Sequence, residues 1–487
     1  MKTKKKYGLF KVLLVILLIA VVASYFIKGR DSNISYIALG DIFINYVQSF
    51  YYFFDTAVFI LAVGGLYGAL NKVASYKKLV KDIANKIGDN KKIFVIVSTV
   101  LFALLSSLTG LNMLLLIFVP FVVSIILLLG YDKLVALSST VVAIVAGFIG
   151  GIFITFKDAS NQYATSYTTF DKMVGLKSNW GCVFPKILLL VVAVGLLVFY
   201  IVRHIKKIES GEIKDNLSHN DVFMVESKSR SGKVVKSDDK VKTWPLIIMG
   251  ILLLVILILG FMPWNSLFGL KNFTQFHKWL TTDAKIGNYV IFTSLISSNF
   301  TALGEWGSLG NYVMALVMIA LFIFILKFIS KVKFSELMDG FIYGVKKMIP
   351  SVMIAMLAYT LLVCVYSNGF LETVITNASK TFGDNVIVGS FISMIGSIVH
   401  VDTYYTVSGV FTPIVSSLSD KANLSVYAVM FQSMYGLVQV FGPTSLLLIV
   451  GLSYLDVPYS KWLKYIWRFV LELFIAIIVI VMLVSVL

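Results

Sequence analysis

VIVGSFISMIGSIVHVDTYYTVSGVFTPIVSS, residues 386–417, is the stretch whose reading decides the fold. It is long enough to cross a bilayer, which takes about 20 apolar residues. Its middle is wrong for a lipid-facing helix: Ser397, His400, Asp402 and Thr403 lie at the centre, and Pro413 interrupts the far arm. Ionisable groups at membrane depth are costly unless they face protein or a water-filled cavity, which makes them a functional-site hypothesis by default. Non-helical backbone survives at that depth only where protein or a cavity satisfies its amides and carbonyls. The stretch reads as a re-entrant hairpin that dips into the membrane, turns at residues 399–404 and leaves on the side it entered.

The rest of the composition agrees with a membrane setting. Of 487 residues, 58% are hydrophobic and only 14% charged, against about 25% charged in a soluble domain; the mean hydropathy is +0.89. The fold class expected is an all-α polytopic membrane protein. A net charge of +17 raises the question of nucleic acid, but Lys and Arg sit mostly in short loops beside apolar runs, as membrane orientation requires. No nucleic-acid partner is expected; the bilayer is. Cys182 and Cys364 give no disulfide framework, and the histidines, His204, His219, His277 and His400, are scattered. No metal-ligand cluster and no Ser/His/Asp spacing is seen, so neither a metal nor an enzyme is expected. The run Leu9–Ile27 is too long for a signal peptide and lacks a clean cleavage site, so it counts as the first span.

Read in order, the chain gives nine spans and two hairpins. Residues 1–202 form a first half with a hairpin at 93–129, residues 203–243 a cytoplasmic linker, and residues 244–487 a second half with the hairpin at 386–417. The first hairpin candidate is interrupted by Ser106, Ser107, Leu108, Thr109, Gly110, Leu111 and Asn112 and again by Pro120; a pair of complete spans fits its hydropathy as well. Lys2, Lys4, Lys5 and Lys6 hold the N-terminus in the cytoplasm, and the span count puts the C-terminus outside. The linker carries ten Lys/Arg and seven Asp/Glu. Within spans, Gly147, Gly150 and Gly151 loosen residues 134–156, the run Phe441, Gly442, Pro443, Thr444, Ser445 breaks residues 425–455, and Glu472 is expected to pair with Arg468 one turn back.

The two halves resemble each other in order. Asp41–Val47 matches Asp339–Val345, Gly88-Asp89-Asn90 matches Gly383-Asp384-Asn385, and Pro120 matches Pro413. The span count places Asp41 outside and Asp339 inside, so the repeat is inverted. Inverted repeats with interrupted helices at matching places point to a secondary transporter with its site near the midplane. The two hairpin tips are expected to approach from opposite sides.

Broken helices leave unpaired N–H groups at one end and carbonyls at the other; the first attract a carboxylate, the second a cation. Candidate substrate-binding residues are Ser106, Ser107, Thr109, Asn112, Ser397, His400, Asp402, Thr403, Thr444 and Ser445. Candidate ion-coupling positions are Asn112, Gly147, His400, Asp402 and Pro443. His titrates near neutral pH, and a neighbouring carboxylate stabilises its charged form, so His400 and Asp402 read as a proton-coupling pair, while carbonyls exposed near Gly147–Gly151 and Pro443 suit Na⁺. No cofactor beyond a coupling Na⁺ or H⁺ is expected.

Asp339–Val345, Gly442-Pro443-Thr444-Ser445, Val457-Pro458-Tyr459-Ser460-Lys461-Trp462-Leu463-Lys464, Val63–Asn71 and Gly130-Tyr131-Asp132 resemble the YfcC branch of the four-carbon dicarboxylate anaerobic carrier family, in the ion transporter superfamily. That resemblance implies a scaffold domain, a mobile elevator-type transport domain carrying two hairpins, and a homodimer. It implies dicarboxylates or amino acids such as arginine and ornithine as substrates. At the first tip, Gly110-Leu111-Asn112-Met113-Leu114 has no carboxylates where related chains carry Gly-Met-Ala-Glu-Glu-like residues, which weighs against basic amino acids. The function expected is secondary active transport of a small carboxylate-bearing metabolite, ion-coupled or by exchange. The alternatives are a non-transporting receptor or channel-like protein on the same scaffold and a polytopic membrane enzyme.

Overall fold

The computed structural model describes residues 8–27, 36–152, 183–212, 242–295, 297, 299–306, 312–382, 385–399, 403–416 and 424–486. His400, Asp402, most of the 203–243 linker and most of the loop after residue 156 lie outside them.

The chain is a bundle of apolar helices: α1 (Gly8–Phe26), α2 (Leu39–Tyr52), α3 (Phe54–Leu70), α4 (Ala74–Ile87), α5 (Lys91–Thr109), α6 (Val119–Leu128), α7 (Lys133–Ile149), α8 (Val183–Glu209) and α9 (Trp244–Phe261). The remainder comprises α10 (Asn272–Thr282), α11 (Val313–Ser330), α12 (Phe334–Asn368), α13 (Phe370–Phe382), α14 (Val386–Ile398), α15 (Val407–Ser416, preceded by one turn at Thr403–Thr406), α16 (Leu424–Phe441), α17 (Leu446–Tyr454) and α18 (Tyr459–Val486). Among the described residues eight helices are long and apolar enough to cross a membrane, or nine with α2 and α3 as one span bent by 67°. A small two-stranded pair, Lys285–Ile286 against Tyr289–Val290, lies between α10 and α11.

The element order of residues 39–209 recurs over residues 334–486. A long or bent span is followed by a short amphipathic helix (α4, then α13), a helix–tip–helix unit (α5 and α6, then α14 and α15), a helix that stops at a break (α7, then α16) and a long final helix (α8, then α18).

Both helix–tip–helix units fold back. The start of α5 and the turn after α6 meet the same end of α8: Lys92 Nζ is 2.7 Å from Glu209 and Asp132 Oδ2 is 2.9 Å from His204 Nε2. At ten residues, α6 rises about 15 Å, half the apolar thickness. In the second unit a Cβ on Gly396 would stand 2.5 Å from Val410, and α13 touches both α14 and the end of α15. A straight helix would put residues 396 and 410 about 21 Å apart.

Local chemistry differs from expectation at two prolines, Pro120 and Pro413. Pro120 does not interrupt: it occupies the first turn of α6, where its missing N–H has no helical acceptor to lose. Pro413 does not break the far arm, because residues Val407–Phe411 take a π-turn just before it and Thr412 Oγ1 donates to the Val407 carbonyl at 2.9 Å; the wider turn re-pairs backbone that a proline would leave open. Pro350 lies inside α12, which runs unbroken for 35 residues.

The densest crossing joins α3 to α12. Gly64 and Gly68 face Gly344 and Gly340 so closely that a Cβ on Gly344 would lie 2.0 Å from the Gly64 carbonyl oxygen, and one on Gly68 2.1 Å from that of Gly340. Small residues four apart let two backbones meet, which is how helices gain packing in lipid.

Candidate functional site

Each fold-back unit lies against the break of the following helix. In the first half α5 packs along the second half of α7, and a Cβ on Gly147 would be 2.2 Å from the Ala103 carbonyl oxygen. That contact is backbone on backbone, so Gly147 sets how near the hairpin arm comes. Ser106 Oγ then reaches the Ile144 carbonyl at 2.7 Å and the side-chain oxygen of Asn112 at 2.6 Å. Ser107 Oγ donates to the Gly150 carbonyl at 2.9 Å, and the Ile152 amide to the Ser107 carbonyl at 3.1 Å. Gly110, in the left-handed region at φ +66°, ends α5, a conformation glycine adopts at no steric cost. Thr109 turns its hydroxyl back to the Leu105 carbonyl and accepts from the Leu111 amide at 3.3 Å.

In the second half the same tie is made with the roles exchanged. Thr444 Oγ1, at the break of the α16–α17 span, donates 2.7 Å to the carbonyl of Ile398, the last residue of the hairpin arm α14. Hydroxyl and carbonyl stand at matched positions: 398 − 107 = 291 and 444 − 150 = 294. Ser397 donates to the Ser393 carbonyl at 2.7 Å. Ser445 caps α17, its hydroxyl accepting from the Leu448 amide at 3.4 Å. Pro443 lies in the break between Phe441 and Leu446. Thr403 opens the turn before α15.

Sequence reasoning missed Gln432 and Gln439. Gln432 is 1% exposed, and its Nε2 donates to the carbonyls of Phe148 at 3.0 Å and Gly151 at 3.1 Å. It joins α16 of one half to the break of α7 in the other. Nearby a Cβ on Gly436 would meet Ile149 at 2.6 Å. From Gln432 to Phe441 the helix rises about 14 Å, so the two breaks lie about half the apolar thickness apart. Gln432 Oε1 and Gln439 Nε2 are buried without a hydrogen-bond partner. The signal was in the sequence: two carboxamides seven residues apart, hence on one face, in an otherwise apolar helix ahead of a break.

The His–carboxylate pair that the described residues bring together is His204 with Asp132, 9% and 3% exposed. Asp132 also caps α7 through the Val135 amide at 2.8 Å, and the His204 ring stands edge-on to Tyr465 at 4.9 Å. Glu472 is reached from another helix than expected: Tyr200 of α8 donates to it at 2.5 Å, while Arg468 lies 5.2 Å over the Trp467 ring.

Apolar spans that stop in mid-course, with polar helix arms tied to the breaks, are a construction that membrane carriers use. Residues 35–486 match the family described as C4-dicarboxylate anaerobic carrier, and the chain belongs to that family. It is a multi-pass membrane carrier and not an enzyme. A solved structure, that of the Alcanivorax borkumensis YdaH transporter, is similar over 97% of this chain and 98% of that chain, at 10% identity and a TM-score of 0.41. No curated protein matches.

Proposed function

We propose that the protein is a secondary active carrier of a small carboxylate-bearing metabolite, with C4-dicarboxylates as the first class, driven by Na⁺ or H⁺ or by exchange. The matched ties Ser107–Gly150 and Thr444–Ile398 carry this reading. They hold a polar tip and a helix break together once in each half, as two copies of one fold with opposite orientation would. Substrate is held between the tips, by Ser106, Ser107, Thr109 and Asn112 on one side and Ser397, His400, Asp402, Thr403, Thr444 and Ser445 on the other. The amino end of α17 offers its N–H groups to a carboxylate. His400 and Asp402 take and release a proton, and Asn112 at the first tip marks the position where a coupling ion acts.

The crossing of α3 and α12 serves as the fixed scaffold, and the hairpins with α7, α16 and α17 as the moving part. A narrow apolar cleft of ≈ 20 Å³, little more than one water molecule, lies between the two groups, lined by Phe59 and Gly64 of α3, Met348 of α12, Leu116 and Pro120 of the first hairpin and Tyr454 of α17. Apolar surfaces with no hydrogen bonds to break favour sliding of one part along the other. The protein works as a homodimer, with its N-terminus cytoplasmic and its C-terminus external.

Counterflow tests this. Proteoliposomes loaded with unlabelled succinate are expected to accumulate external labelled succinate, fumarate or malate well above empty vesicles, and arginine or ornithine to compete poorly. Absence of counterflow for every dicarboxylate and amino acid, under Na⁺ and pH gradients alike, would return the receptor-like alternative.

A further inference from the structure

We infer that the carboxamide of Gln432 permanently fills the position a coupling cation would take at the broken end of α7, so that this break binds no Na⁺. The inference rests on the carrier reading and narrows its coupling ion. The last carbonyls of a helix have no acceptor role within it, and they carry the negative end of the helix dipole. At membrane depth they need a donor or a cation. Around the α7 break the donors come from the protein. Gln432 Nε2 lies 3.0 Å from the Phe148 oxygen, 3.1 Å from Gly151 and 3.5 Å from Ile149, and Ser107 Oγ donates to Gly150 at 2.9 Å. Four consecutive carbonyls therefore face side-chain donors.

The orientation of the amide follows from the same carbonyls. Turning it over would set Oε1 against three oxygens of like partial charge. It keeps its N–H edge toward them even though Oε1 is left buried and unpaired. A hard cation binds oxygen at about 2.3–2.6 Å and would have to displace the Nε2 atom to reach all three. The second break is built alike: Trp462 Nε1 donates to the Val440 carbonyl at 3.0 Å and the Tyr459 hydroxyl to that of Phe441 at 2.6 Å. A protein donor in place of an ion makes these breaks independent of the ion.

The test uses the purified full-length protein without substrate. Its thermal midpoint, and hydrogen exchange over residues 148–152, are measured in NaCl against choline chloride at equal ionic strength. Wild type is expected to show no Na⁺-specific slowing of exchange at 148–152. Gln432→Ala uncovers the carbonyls, and Gln432→Glu adds a negative charge beside them. Both are expected to gain a midpoint that rises with Na⁺ by about 5 °C or more at saturation, with slower exchange at 148–152. Wild type stabilised specifically by Na⁺ at these amides would overturn the inference. So would folded variants that ignore Na⁺. If neither variant folds, the wild-type exchange measurement decides alone. Counterflow plays no part, so a failure of the carrier reading shows separately.

Discussion

Gly344→Leu is expected to leave no stable folded protein: monodisperse material in mild detergent should be lost, or its thermal midpoint fall far below wild type. The atoms a Cβ at Gly344 would meet are the Gly64 carbonyl oxygen at 2.0 Å and carbon at 2.7 Å. These are backbone, and they cannot rotate away as a side chain would. Overpacking of side chains costs about 1–3 kcal/mol. Forcing apart two helices in their densest crossing costs more, because every contact along α3 and α12 is loosened together. Gly68→Leu meets the Gly340 oxygen at 2.1 Å and should behave alike. Gly195 of α8 and Gly250 of α9 have nothing within 4 Å of such a Cβ. Gly195→Ala and Gly250→Ala should be neutral or stabilising by about 0.5–1 kcal/mol, the helical cost of glycine relative to alanine. Equal damage from all four would mean that the α3–α12 crossing has no special role.

Ser107→Ala and Thr444→Val are each expected to slow exchange without preventing insertion. Each removes a hydroxyl and leaves a buried carbonyl, Gly150 in one half and Ile398 in the other, without its donor. An abandoned buried acceptor costs about 1–3 kcal/mol. If that cost falls on the transport barrier, the rate drops roughly 5- to 150-fold. The two ties share no partner, so the double variant should lose about the sum of the single free energies. Ser485→Ala, which removes an exposed bond to the Met482 carbonyl, should transport normally. Initial rates of counterflow at equal protein per vesicle measure this. Rates within twofold of wild type in both single variants would show that hairpin arm and break are not mechanically joined.

The helix breaks were legible because their signals are local. Gly110 supplies a left-handed helix end, Gly442 and Pro443 remove the means of continuing a helix, and hydroxyls gather where backbone is left open. The prolines misled for a matching reason: the sequence shows that an N–H is missing, but not whether a first turn, as at Pro120, or a π-turn, as before Pro413, has made it unnecessary. The bend of 67° between α2 and α3 carries no glycine or proline at all. There the ring of Phe53 stacks on Tyr359 of α12 at 3.7 Å, a tertiary contact over 300 residues away. Gln432 was overlooked because a lone amide in an apolar helix has no local partner to announce it; its partners are carbonyls 281 to 284 residues earlier. The tie of His204 to Asp132 spans 72 residues and was out of reach for the same reason.

The carrier mechanism requires the two halves to be inserted in opposite senses. Lys86 in α4 and Lys380 in α13 stand at matched places ahead of the two hairpins (380 − 86 = 294), and both are exposed. With Cys182 and Cys364 replaced by serine, Lys86→Cys and Lys380→Cys can be labelled by a membrane-impermeant maleimide in right-side-out and inverted vesicles. Lys86→Cys should react only in inverted vesicles and Lys380→Cys only in right-side-out ones. Labelling of both positions from the same face would contradict the inverted arrangement.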